Sequence, residues 1–304
     1  MLRSLRERAG RTAAPAAALA AALAIALLPA AGICGFLSME EGARATGMGG
    51  AFLAVADDAS CVFWNPAGLG FTSGLKLTGM RTRLYSISDL SEDCVAVTYS
   101  GWRRAGFGVG WARTGLEEVY NENTYILGAG SRFLLDQLSV GGALRIYHLA
   151  APGYDYYNDP NFTDGDTGYA ADLGLLYRGS NWSLAAAVRN LGEPELSLIS
   201  TTEESDPISA EVRVGGTYTF REVMLIAGEI RRSADRPGYY EGQTSYYLGT
   251  EVWFFDAFAL RGGLHGDKAA AGIGLKIDNV SVDGALISEG RPGSKYRLSL
   301  SLDF

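Results

Sequence analysis

Histidine is almost missing from this 304-residue sequence, which holds only His148 and His265, and cysteine is confined to Cys34, Cys61 and Cys94. No HExxH, CxxC or GxSxG occurs. A zinc-protease helix, a paired-cysteine metal or redox motif and a nucleophile elbow are therefore all absent. Serine, aspartate and histidine are present, but nothing singles out a nucleophile, so an enzyme is not expected and no cofactor is called for. The glycines around Gly50 lack the following Lys-Ser/Thr and the βαβ setting of a phosphate cradle. In DPNFTDGDTG, residues 159–168, glycine falls at the wrong place for a calcium loop, which leaves an acidic, solvated connection and no metal site.

Positive charge is also in deficit. Lys and Arg number 26 against 34 Asp and Glu, for a net charge of −8. No basic stripe relieves this, which argues against nucleic acid as a partner. Long apolar runs are missing except at the start. There Arg3, Arg6, Arg8 and Arg11 precede an alanine-rich run from Ala13 to Ala31. Residues 1–32 read as a cleaved export signal, with Ala30-Ala31-Gly32 as the small-residue site. An uncleaved anchor is disfavoured by Pro15 and Pro29, and a lipid anchor on Cys34 by Ile33. Export permits a Cys61–Cys94 disulfide, though spacing equally allows unpaired thiols. Beyond residue 32 no run can span as a helix, so membrane insertion would require a closed barrel.

What is abundant is glycine, 40 residues, and tyrosine, 16 residues, against a usual glycine share of ~7%. With little helical periodicity this indicates an all-β chain. The last strand shows the pattern most clearly. Tyr296, Leu298, Leu300, Leu302 and Phe304 alternate with Arg297, Ser299, Ser301 and Asp303, giving one apolar and one polar face. Similar segments are expected at 74–85, 94–101, 106–115, 124–133, 138–149, 168–178, 182–190, 208–220, 223–231, 244–254, 258–264, 269–277, 280–287 and 295–304. Their connections alternate, short then long, with 265–268 the one short exception on the long side. That is the layout of an outer-membrane barrel, and a sandwich has no reason to follow it.

The inward face would then carry Arg132, Arg145, Asp172, Arg178, Arg189, Arg213, Glu229, Glu251, Arg261, Lys276, Asp283, Arg297 and Asp303. On the lipid face each charge would cost ~2–4 kcal/mol near the midplane. Both signs are mixed, which favours pairing across the interior over a selective ion path.

Ahead of the strands lies a turn-rich knot. Gly47, Gly49 and Gly50 allow positive φ and close approach. Phe52, Leu53 and Val55 follow, then Asp57-Asp58 and Trp64-Asn65-Pro66-Ala67-Gly68, where the proline opens a fixed turn. As a run, GARATGMGGAFLAVADDASCVFWNPAGL (residues 42–69) resembles the N-terminal signature of the PorV/PorQ outer-membrane family, relatives of the FadL-type hydrophobic-compound channels with their similar Asn-Pro-Ala. DLGLLYRGSNWSLAAAVRNLGEP (172–194) and LGTEVWFFDAFALRGGL (248–264) also resemble segments of that family.

The resemblance implies an exported outer-membrane barrel of about fourteen strands over 74–304, with residues 33–73 as a plug or hatch. Outer-membrane lipid and the barrel assembly machinery would be its partners, the latter reading the terminal aromatic Phe304. FadL-type relatives imply diffusion of hydrophobic molecules past Ala51, Phe52, Leu53 and Val55. PorV-like relatives imply the holding of secreted cargo for a type IX-like apparatus, and a purely structural barrel is the third alternative. The short loops of this chain depart from the PorV pattern. If the knot is a folded plug, Trp64, Phe63, Phe52 and Val55 bury against the barrel interior, and Asp57 and Asp58 find partners among inward arginines such as Arg189 or Arg213.

Overall fold

A computed structural model describes Phe36 and residues 41–304, apart from 84–89, 103, 117–118, 135, 153–160, 200–205, 236–241 and 289–293. The export signal, Cys34 and most of the acidic tyrosine-rich connection lie outside the described residues.

Two short helices, α1 (Ala43–Gly47) and α2 (Cys61–Trp64), and a 3-10 turn (Pro66–Phe71) precede the strands. The strands are β1 (Gly74–Arg83), β2 (Leu90–Trp102), β3 (Ala105–Leu116), β4 (Tyr120–Phe133), β5 (Leu138–Ala150), β6 (Gly165–Arg178) and β7 (Trp182–Leu191). Then come β8 (Glu195–Leu196), β9 (Asp206–Pro207), β10 (Glu211–Phe220), β11 (Met224–Ser233) and β12 (Thr244–Phe254). The last are β13 (Phe258–His265), β14 (Lys268–Ile277), β15 (Val280–Ser288) and β16 (Ser294–Asp303). All but β8 and β9, which pair with each other, form one closed antiparallel barrel of fourteen strands in chain order.

Each expected strand is present, β12 with the expected bounds and the others with at least one end shifted. β2 and β4 begin four residues early, at Leu90 and Tyr120. Their added residues, Ser91-Glu92-Asp93 and Asn121-Glu122-Asn123, are polar, but the hydrogen-bond ladder needs no apolar side chain to continue. The strand expected from Ile208 starts instead at Glu211. Pro207 has no N–H for a ladder, and the Ile208 amide donates to Pro194 O at 2.9 Å. Ile208 joins Leu196, Tyr147, Leu149 and Ala170 in an apolar cluster where the long connections emerge.

Short connections turn through left-handed residues. Arg221 and Glu222 have φ of 51° and 61°, and Phe255 and Asp256 have 56° and 53°. Two consecutive left-handed residues let each of these three-residue connections follow the strand twist. The seam closes where β1 meets β16, pairing Lys76 with Asp303, and Lys76 Nζ lies 2.9 Å from the Asp303 carboxylate.

The alternation is inside-out relative to a soluble protein. On β16, Leu298 is 61% exposed and Arg297 5%. The outer surface carries Leu127, Leu173, Leu248, Ile273 and Leu300, while Arg145, Asp172, Arg213, Glu229, Glu251 and Asp283 are buried within. What buries them is chain, because residues 41–72 occupy the interior. The 3-10 turn packs on β3–β6 and α1 on β13–β16.

Candidate functional site: the occupied lumen

The inner segment is seated with little clearance. Gly49 has φ +64°, and a Cβ there would stand 2.5 Å from Leu264 N. Opposite, a Cβ on Gly141 would run into the Pro66 carbonyl. Wall and segment thus meet backbone to backbone on two sides.

The Asn-Pro-Ala motif acts as a local clamp. Fully buried Asn65 accepts from Ala67 N at 3.0 Å through Oδ1 and donates through Nδ2 to Leu53 O (3.1 Å) and Leu175 O (3.3 Å). It therefore caps the turn that Pro66 opens, ties that turn to the segment's earlier half, and fixes both to β6. Gly68 lies under Ala56, where a Cβ would meet Ala56 O at 2.5 Å. Trp64 donates from Nε1 to Glu41 O at 2.8 Å, meets Phe52 edge-on at 5.7 Å, and lies under the guanidinium groups of Arg231 and Arg213 at 5.2 and 6.0 Å.

The buried wall charges serve the segment as well as one another. Arg145 pairs with Asp172 at 2.5 Å and donates to Phe63 O at 2.9 Å. Glu229 accepts the amides of Phe52 (3.1 Å) and Leu53 (3.0 Å), and its neighbour Arg231 donates to Gly50 O at 2.5 Å. Arg178 reaches Val55 O at 2.8 Å, and Arg297 bridges Thr46 Oγ1 and Glu92, each at 2.7 Å. An irregular chain inside a barrel has amides and carbonyls that neither ladder nor solvent satisfies. These side chains supply the missing partners.

Of the expected inward polar residues, Asp172, Arg189, Arg213, Glu251 and Arg297 lie in the lumen. Arg189 stands 4.0 Å from Asp172, and Arg213 pairs with Glu211 and, at 3.9 Å, with Glu229. Asp303 is at the rim on the seam with Lys76, away from the segment. Lys276 points the same way as its inward neighbours but is exposed beside the turn that ends β14. Phe304 closes the seam by exchanging backbone hydrogen bonds with Leu75, its side chain outward.

The expected partners of Asp57 and Asp58 are corrected. Neither reaches Arg189 or Arg213, which the carboxylates of β6, β10 and β11 already hold. Arg44, on the segment itself, lies 2.6 Å from Asp57 and 3.2 Å from Asp58, and joins both to Glu251 at 2.9 Å. Arg261 extends the chain of charges from Glu251 (2.7 Å) to Asp283 (2.8 Å). Sequence reasoning, which paired the segment only with strand residues, missed Arg44. It also missed Glu92, hidden in a polar run assigned to a connection, and Arg231, which the two-residue period from Glu229 would have found.

Burial moves the segment's own titrating groups. The Glu41 carboxyl is raised by desolvation against the pull of Arg189, Arg145 and Arg213, and the Asp58 carboxyl is raised by desolvation despite Arg44. The Cys61 thiol is pushed well up by burial. Cys61 and Cys94 are both free and buried, so the disulfide that export permits is not formed. Among the described residues no three His, Cys, Asp or Glu side chains converge as a metal site.

Fold and lumen together define the class: a closed fourteen-strand antiparallel barrel filled by its own N-terminal segment. Among solved structures the chain is similar to the CymD monoaromatic hydrocarbon channel, with a TM-score of 0.64 at 16% identity over 86% of this chain and 97% of that one. It is similar to the Pseudomonas putida toluene transporter TodX, with a TM-score of 0.58 at 14% identity over 86% and 96%. A deltaS2S3 mutant of the TodX monoaromatic hydrocarbon channel gives 0.61 at 14% identity over 87% and 99%. At these identities the likeness is one of fold. No family model and no curated sequence matches the chain.

Proposed function

We propose that this protein is an outer-membrane channel for small hydrophobic molecules, exported by residues 1–32 and stoppered by residues 33–73. The observation that carries the reading is the asymmetry of the lumen. On β2–β5 the inward positions Ala96, Ala112, Ile126 and Ala143 form an apolar band that ends at Arg145, the cross-strand partner of Ile126, and packs against Val62, Phe63 and the rest of one apolar cluster. The polar contacts of the segment's first half come mainly from β11, β12 and β16. A shift of the segment toward that charged side would uncover a passage with one greasy wall, suited to a molecule without charge and poor for ions. The likeness in fold to monoaromatic hydrocarbon channels supports the same substrate class.

The cargo-holding role implied by PorV-like relatives stands on the sequence resemblance alone. The test is uptake of a radiolabelled monoaromatic hydrocarbon by cells with and without the chain, and by cells carrying Ala112→Asp, assembled as judged by heat-modifiable migration, which puts a carboxylate on the apolar wall. Wild type should accelerate uptake, and the variant should lose the gain. Equal uptake in all three would overturn the channel reading.

A further inference from the structure

Outside the lumen, the wall of β2–β5 carries a groove of about 560 Å³ that the channel reading does not use. Its floor is the cross-strand pair Ala129 and Gly142. Phe107 beside Ala129 and Leu173 beside Gly142 continue the row on either side. Tyr99, Val97, Val109, Leu127 and Leu144 complete the outward-facing rim, and no charged side chain takes part.

The wall here is thin from both sides. The inward neighbours Gly108 and Gly128 have no side chain, and Leu69 and Val62 of the inner segment fill the space behind them. Those glycines are explained by the segment, because a Cβ on either would meet Leu69 at 2.8 or 3.0 Å. Gly142 has no such reason. Its added Cβ would meet only Asp172 O and Leu173 Cδ2, both at an ordinary 3.7 Å, and its φ is not left-handed. Glycine weakens a strand without returning any packing. Its consequence here is a hollow between large apolar side chains.

We propose that this groove holds one acyl chain of a membrane lipid, from the leaflet nearer the short turns. The inference rests on the membrane placement proposed above. Three observations select the occupant. The lining is aliphatic and aromatic, so a polar ligand would be desolvated without return. The wall is a closed ladder at this point, with no free edge to which a peptide strand could add. The groove also lies four to six residues from the short-turn ends of β4 and β5, at about 3.3 Å per residue, within the span that apolar side chains mark as facing lipid.

The test is native mass spectrometry of the mature barrel, released into mild detergent from nanodiscs of phosphatidylethanolamine and phosphatidylglycerol. Wild type should carry one retained phospholipid. A129L/G142L, which fills the floor, should lose it, and A271L on the far side of the barrel should keep it. Heat-modifiable migration reports closure of each variant. Should the double variant fail to close, G142V is read in its place. Absence of retained lipid from wild type, or equal retention in the filled variant, would overturn the proposal. So would a two-chain species lost on filling, since the occupant would then be a second barrel. Failure to fractionate with the outer membrane would instead sink the placement, and hydrocarbon uptake is a separate readout.

Discussion

Arg145 and Phe63, 82 positions apart in the chain, are joined by a 2.9 Å hydrogen bond from the guanidinium to a main-chain carbonyl. The same guanidinium holds Asp172, and Asp172 in turn accepts the Asn190 amide at 3.0 Å. One wall residue therefore neutralises a buried carboxylate and anchors the inner segment at once. A buried ion pair that only stiffened the wall would leave the segment indifferent to its loss.

Arg145→Met should expose the segment. It leaves Asp172 with only the more distant Arg189, at 4.0 Å, as counter-charge and Phe63 O unpaired, and removing one partner of a buried pair costs about 3–5 kcal/mol. Limited proteolysis in detergent should cut within residues 41–72 faster than in wild type, and the midpoint of heat-modifiable migration should fall. R145M/D172N/R189M, which removes the three neighbouring charges together, should recover most of the midpoint but not the protection. Recovery of both would show that the Phe63 contact contributes nothing.

Gly49→Val should dislodge the segment's first half. A left-handed φ costs a branched residue about 1–2 kcal/mol, and the new Cβ meets Leu264 backbone atoms that the ladder between β12 and β13 holds in place. Proteolytic protection should be lost while the barrel still closes. Gly79→Val is the control, because its Cβ stands 3.8 Å from Cys94 O. Unchanged protection in G49V would mean that the wall yields at this point.

Acid should favour the seated segment through Glu41. Its carboxyl is raised by burial above the ordinary 4.5. The protonated form is therefore the one the seat prefers: its contribution is complete below 4.5 and is lost as pH rises through the raised value. Hydrogen exchange of the amides around Trp64, compared between wild type and Glu41→Gln, isolates this group from the other carboxylates. The two should match in acid, and the variant should be the better protected at neutral pH. A constant difference across the range would show that Glu41 does not titrate there.

The barrel was legible because its rule is periodic. Arg297 beside Leu298, repeated through Ser299 and Leu300, states which face is which, and the alternation of connection lengths states how the strands join. The knot was legible as a compact element because Trp64 and Phe52 need a surface and Asn65-Pro66 needs a turn. Its fastening was not. Arg44 and Glu251 lie 207 positions apart, and nothing local marks Glu229 as the acceptor of two amides in place of a lumen counter-charge. Period two gives the direction of a side chain but not what it meets, because the filler of a barrel has no period of its own.

The seam between β1 and β16, fastened by Lys76, Asp303 and Phe304, joins the first wall strand to the last. The inner segment lies upstream of both in the chain. Both closing strands must be present before the ring is complete, and the filling hangs from one side of that last joint: Ser73 alone separates residues 41–72 from β1. Joint and filling are thus neighbours in the chain, and a circular permutant opened at residue 73 would keep every residue while cutting the tether between them.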